Sequence, residues 1–212
     1  MIRHVIWDWN GTLVDDVDLC VDILNQMLSA HCLPTISVKQ YRMTFFFPVA
    51  QFYQTLGLPF SGPQYEKLAG DYIRTYRGRF KECGLSQGAL ETVCALSKLG
   101  VSQSILSAGA QRDVETFVSF YQLDPWIRSI DGANNVEASG KAERASTHLS
   151  RLGFDAKEVL LTGDTLHDLE VGNLLGCQTL LYSGGHADEV RLLQVTDRII
   201  RSLSEVVGRV HD

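Results

Sequence analysis

The sequence predicts an α/β protein, a parallel sheet covered by helices, with one small all-helical insertion near the start of the chain. Three observations predict it. Short β-rich segments alternate with helical patterns through most of the chain, as in strands joined by crossover helices. That rhythm breaks once, between the first and second strands, where apolar residues recur at helical spacing and prolines punctuate the run. The 212 residues suffice for one good core plus a small accessory module.

The elements follow in order. The first strand is expected at residues 3–7, where the apolar run Val5-Ile6-Trp7 delivers Asp8. From residue 16 to 81 no good strand is found. Leu19, Ile23 and Met27 make one helical stripe, Leu68, Tyr72 and Tyr76 another, and Pro34, Pro48, Pro59 and Pro63 divide the stretch into several helices. Further strands are expected at residues 101–106, 128–131, 158–162, 179–182 and 198–200. Helices are expected at 88–99, 112–121, 141–152 and 168–175. The chain thus divides into a core of residues 1–15 and 82–212 and a helical insertion of residues 16–81.

Composition narrows the class. Acidic residues number 25 against 19 basic ones, and the net charge of -6 gives no support for nucleic-acid binding, which favours basic surfaces. No apolar run approaches the roughly 18 residues of a membrane span. Met1-Ile2-Arg3-His4 enters a strand without the pattern of a secretory signal, so a cytoplasmic location is expected. Cys20, Cys32, Cys83, Cys94 and Cys177 are odd in number and scattered. They read as buried, reduced thiols rather than disulfides or a zinc site.

Four segments carry candidate chemistry. Asp8-Trp9-Asn10-Gly11-Thr12-Leu13-Val14-Asp15 puts a carboxylate at the end of a buried strand, an unfavourable position for a charge without a role. The strand Ser104-Ile105-Leu106 ends in Ser107-Ala108-Gly109, where a hydroxyl and free amides form either an anion site or an ordinary helix N-cap. Lys141, after Ala138-Ser139-Gly140, puts a cation at a helix N-terminus, against the helix dipole. After Val159-Leu160-Leu161 comes Thr162-Gly163-Asp164-Thr165-Leu166-His167-Asp168. Asp164 and Asp168, four apart at a helix start, face one point; they suit Mg²⁺, or simply cap the helix. Gly172 and Gly176 beyond them allow close packing or a helix end.

In this order the four segments resemble the motifs of the haloacid dehalogenase-like hydrolases, whose first reads DxDGTxxD and whose last reads GDxxxD. The resemblance implies a Rossmann-like core with a helical cap. It also implies a Mg²⁺-dependent phosphatase acting on a small phosphate monoester, in general appearance closest to phosphoglycolate phosphatase-like enzymes. By resemblance, Asp8 is the nucleophile that becomes an aspartyl-phosphate, and Lys141 neutralises nucleophile and phosphate. Ser107, with Ala108, Gly109, Gly11 and Thr12, binds the phosphoryl group. The metal is held by Asp8, the main-chain carbonyl of Asn10 and Asp164, with Asp168 close by.

Asn10 departs from the pattern, which has a second Asp there to protonate the leaving group and then activate water. An amide orients either species but exchanges no proton at neutral pH, and losing a general acid/base costs roughly 10²–10⁴ in rate. Asn10→Asp is therefore expected to speed hydrolysis of esters with poor leaving groups. His167 and Asp16 are the nearby candidates for the missing proton transfer.

The cap is expected to choose the substrate, a small phosphorylated metabolite. Arg42, beside the aromatic run 41–48, is its first candidate for an anionic substrate group, while Arg74, Arg77 and Lys81 read as a solvated stripe. A monomer or weak homodimer is expected, with no nucleic-acid or membrane partner. Three rival readings remain. One is a phospholigand-binding protein with little turnover because of Asn10. Another is a 2-haloacid dehalogenase, which the Asp164 and Asp168 pair argues against. The third is a phosphonate hydrolase using Lys39 or Lys67 as a Schiff base.

Overall fold

The computed structural model describes residues 1–133 and 141–211. Its centre is a six-stranded sheet in the order β5-β4-β1-β6-β7-β8, built from β1 (His4–Trp7), β4 (Ser102–Ala110), β5 (Ser129–Ala133), β6 (Val159–Gly163), β7 (Gln178–Tyr182) and β8 (Ile199–Ile200). Every pairing in it is parallel. The connecting helices are α5 (Ala89–Lys98), α6 (Gln111–Phe120), α7 (Lys141–Leu152) and α8 (Leu166–Leu175), and two short ones follow, α9 (Glu189–Leu192) and α10 (Glu205–Arg209). The expected α/β class and parallel sheet are observed.

The central strands are buried along their whole length, β1 and β6 at every residue, as in parallel sheets covered on both faces. Side chains alternate between the faces. Val5, Trp7, Ile105 and Leu160 join one apolar cluster with Val93 of α5 and Val114 of α6. Ile6, Leu106, Val159 and Leu161 join the other with Ala145 of α7 and Val171 of α8. Each fully buried Leu, Ile or Val stabilises the fold by roughly 1.5–3 kcal/mol, which explains why apolar runs rather than alternation mark these strands in the sequence. Helix α8 lies tight on β7: a Cβ at Gly172 would sit 1.8 Å from Thr179 Oγ1.

The chain leaves the core through β2 (Val14–Asp15) and returns through β3 (Gly84–Leu85), which pair as an antiparallel ribbon. Between them lie α1 (Val17–Ala30), α2 (Val38–Thr44), α3 (Val49–Thr55) and α4 (Gly62–Arg79), with a 3-10 turn at Phe80–Glu82. Three prolines bear directly on helix boundaries. Pro48 is the N-cap of α3 and Pro63 lies in the first turn of α4, where its missing N–H is harmless; Pro34 lies in the link before α2. Helix α2 opens with a capping box between Ser37 and Gln40. The aromatic run packs inward, Tyr41 stacking on Phe45 at 4.9 Å and Phe45 meeting Phe52 edge-on at 5.2 Å.

The cysteines are not uniformly buried, contrary to what their sequence context suggests. Of the five cysteines, all of them free, only Cys20 is buried and Cys32 is exposed; Cys32 lies past the end of α1, outside the apolar stripe. No helix among the described residues is long and apolar enough to cross a membrane.

Candidate active site

The topology makes a crevice. From β1 the next core strand, β4, is laid on one side, and after β5 the chain returns to place β6 on the other. Loops leaving the ends of β1, β4 and β6 therefore diverge, and such a switch in strand order is where open α/β sheets bind ligands. Asp8 lies one residue past β1, and its N–H donates to the Thr162 carbonyl at 2.8 Å. The turn after it needs Gly11. Its φ is +72°, and a Cβ there would lie 2.4 Å from Asp164 Oδ2 and from His186 Cδ2.

Lys141, buried at 3 % exposure, opens α7 and holds the carboxylates together. Its ammonium donates to Asp8 Oδ1 and, at 2.6 Å, to Asp168 Oδ1. Asp168 works with both oxygens, since Oδ2 accepts from the Thr165 N–H at 3.0 Å and the Thr165 hydroxyl at 2.7 Å. It thus caps α8 and also anchors Lys141, uniting the two readings its spacing left open. Asp164 accepts from the Thr12 hydroxyl at 3.1 Å and the His186 N–H at 2.5 Å.

The electrostatics call for another cation. Asp8, Asp164 and Asp168 have carboxylate oxygens within 4.8 Å of one another, all buried, with one ammonium among them. Burial pushes the Asp8 carboxyl up; Lys141 pulls it back, and the other two carboxylates push it further up. Burial likewise lifts Asp164 to about 6 despite the nearby His186. Asp168 is lowered, because Lys141 and Thr165 outweigh its burial. Burial opposes the charge on Lys141, but Asp168 and Asp8 hold it above the ordinary amine value. A hard divalent cation on Asp8 and Asp164 would relieve this excess, and the all-oxygen donor set fits Mg²⁺.

Around Asn10 lies a second buried network that the sequence did not disclose. The Asn10 Nδ2 donates to Asp16 Oδ2 at 2.6 Å and to the Tyr76 hydroxyl at 3.0 Å, and that hydroxyl donates to Asp16 Oδ2 at 2.7 Å. Asp16 also accepts from the Gly11 N–H at 2.8 Å and lies 3.2 Å from His186 Nε2. Burial raises the Asp16 carboxyl, but His186, Asn10 and Tyr76 together bring it below the ordinary value. Burial disfavours charge on His186, while Asp16, Asp164 and Asp8 lift it to about 9. As an imidazolium it donates from Nε2 to Asp16 and from Nδ1 to the Tyr41 oxygen, 3.0 Å away. The Gly184-Gly185 pair before His186, after a buried strand, was its one local signal.

These groups floor a cavity of about 200 Å³. Asp8, Asn10, Ser107, Ala108, Gly109, Lys141, Asp164 and Asp168 all line it. The hydroxyl of Ser107 accepts the Gly109 N–H at 3.0 Å. It is no helix cap, because β4 runs on to Ala110, which precedes α6.

Three candidate substrate contacts fall elsewhere. Gly11 and Thr12 are not in the lining; Gly11 serves Asp16 through its N–H, and Thr12 serves Asp164. Arg42 is absent from it too, since its guanidinium donates to the carbonyls of Ser183 and Ala187 and so fastens α2 to the loop after β7. Arg74 pairs with Asp71 and Arg77 with Asp113, each at 2.7 Å. Lys39 and Lys67 are exposed and do not line the cavity, which removes the lysine a Schiff base needs. Ala138, Ser139 and Gly140, preceding Lys141, lie outside the described residues.

The chain belongs to the haloacid dehalogenase-like hydrolase family, whose profile matches residues 5–182. It is 25% identical to the N-acetylmuramic acid 6-phosphate phosphatase of Pseudomonas aeruginosa, over 87% of this chain and 83% of that one. It is 22% identical to the phosphoglycolate phosphatase of Caulobacter vibrioides, over 95% and 88%. Its fold is shared by a haloacid dehalogenase-like hydrolase from Streptococcus pneumoniae, with a TM-score of 0.83, 20% identity and 98% of each chain covered.

Proposed function

We propose that the protein is a Mg²⁺-dependent phosphatase of small phosphate monoesters that works through an aspartyl-phosphate on Asp8, with residues 16–81 acting as its cap. The observation that carries this reading is the buried Lys141 ammonium shared by Asp8 and Asp168 at the head of a cavity. The named phosphatases among the relatives support the class of reaction.

Asp8, Asp164 and the main-chain carbonyl of Asn10 would hold Mg²⁺, which would supply charge neutralisation for the phosphate; Asp168 holds Lys141 instead. Phosphoryl transfer rests mainly on positioning and charge, and the chain's own groups provide both. Lys141 opposes the upward push of burial on Asp8 and aims the carboxylate, with Asp168 fixing the amine. An Asp8 oxygen attacks phosphorus in line, the P–O ester bond breaks and the leaving alkoxide takes a proton from water to become the alcohol, and the hydroxide so formed then cleaves the acyl phosphate to regenerate the carboxylate and release phosphate. The Ser107 hydroxyl, held by the Gly109 N–H, donates to a transferring oxygen.

Asn10 has both described Nδ2 bonds directed at Asp16 and Tyr76, so its Oδ1 is left to accept a hydrogen bond from the attacking water. It orients water and transfers no proton. A phospholigand-binding protein with little turnover is the reading this amide would otherwise favour, and one assay separates the two. Inorganic phosphate should be released from an aryl phosphate with Mg²⁺, cease on chelation, and be absent in Asp8→Asn. Binding of the ester without phosphate release would establish the non-catalytic reading.

A further inference from the structure

Resting on that reading, we propose that the substrate is a phosphate monoester with an apolar or aromatic alcohol portion and no second acidic group. The walls above the phosphate end of the cavity are apolar. Phe45, Phe47, Val49, Tyr53, Ile73 and Phe117 are among them. Two of the five tyrosines that line it turn their hydroxyls into the buried network, Tyr41 to His186 and Tyr76 to Asp16, so these two offer the space their rings.

Charge points the same way. Among the described residues, no arginine lines the cavity, and its one lysine is Lys141, already matched by two carboxylates. His186 is paired with Asp16. The arginines of the helical insertion already have partners: Arg42 main-chain carbonyls, Arg74 Asp71, Arg77 the lining residue Asp113, Arg79 Asp22 and Glu82. A substrate carboxylate would enter a space lined by Asp8, Asp164 and Asp168 with no unmatched lysine or arginine among the lining residues, and an unpaired buried charge is strongly unfavourable. An apolar alcohol portion, by contrast, gains from leaving water for these walls, and a phenyl-sized group suffices for about 10²-fold in kcat/KM.

The test compares two alkyl esters of similar intrinsic reactivity, 2-phenylethyl phosphate and phosphoglycolate, by kcat/KM with Mg²⁺, with acetyl phosphate as a small activated control. In parallel, calorimetry measures binding of the non-hydrolysable 2-phenylethylphosphonate and phosphonoacetate. The expected result is a preference of about 10²-fold for the phenylethyl compounds in both measurements. In Ile73→Arg, which puts a cation into the wall, that preference should shrink at least tenfold. Equal or better use of phosphoglycolate, with acetyl phosphate still hydrolysed, overturns the substrate class and leaves the phosphatase reading standing. If no ester is hydrolysed, acetyl phosphate included, the phosphatase reading fails, and the phosphonate affinities alone decide whether the cavity prefers apolar ligands. Tighter binding of phosphonoacetate rejects the inference in that case too.

Discussion

At the scale of single residues, the pairing of Asn10 with Asp16 governs how the departure from the family pattern should be understood. Replacing Asn10 by Asp would set a second carboxylate where an amide now donates at 2.6 Å to Asp16. The bare exchange therefore loses a donor and gains a like charge. Asn10→Asp should lower stability by about 1–3 kcal/mol, the cost of a buried polar group left without its partner. Adding Asp16→Asn should cost less in the Asn10→Asp background than in the parent, because the amide and carboxylate then change places, while the loss of the His186 ion pair is common to both backgrounds. Urea denaturation of the two single variants and the double variant measures the coupling; additive losses would disprove the lock. The ion pair of His186 and Asp16 makes a further prediction. His186 titrates at about 9 in the folded protein against 6.5 ordinarily, so between these values the folded state holds a proton that the unfolded state lacks. Its contribution is full below about pH 6.5 and is lost as the pH rises through 9. The stability difference between the parent and His186→Gln, in chelator throughout, should shrink across that window, and a difference constant with pH would show that the imidazole is neutral.

At the scale of elements, the fastening of α2 to the loop after β7 replaces the substrate role the sequence suggested for Arg42. Its guanidinium meets two carbonyls of that loop, and the Asp188 N–H and Arg191 reach back to carbonyls of 42 and 45. Arg42→Ala should therefore cost about 1–2 kcal/mol and speed amide hydrogen exchange in residues 183–188. It should leave the relative kcat/KM of acidic and neutral esters unchanged; a selective loss for acidic esters would return Arg42 to the binding site. The partners of Arg42 are main-chain carbonyls, which leave no mark in a sequence. The ribbon of β2 and β3 escaped for another reason, two residues per strand being too few to show a period. The strands that were legible, such as Val5-Ile6-Trp7 and Val159-Leu160-Leu161, were so because burial on both faces demands unbroken apolar runs.

At the scale of the whole molecule, the fold concentrates at one crevice what the chain scatters. Asp8, Ser107, Lys141, Asp164 and Asp168 were legible because each stands at or near a strand end or helix start in a local pattern. The network behind them was not: Asp16 and His186 are 170 positions apart, and only the sheet's return across β1 brings them together. The central claim is that this crevice turns Asp8 into a phosphorylated intermediate. It is tested most directly by mixing enzyme, Mg²⁺ and an aryl phosphate, quenching in acid within the first turnover, and locating covalent phosphate by peptide mass spectrometry. One acid-stable, hydroxylamine-labile phosphoryl group is expected on the peptide carrying Asp8, and none in Asp8→Asn. Phosphate on another residue, or phosphate release from a wholly unmodified enzyme throughout that first turnover, would contradict it.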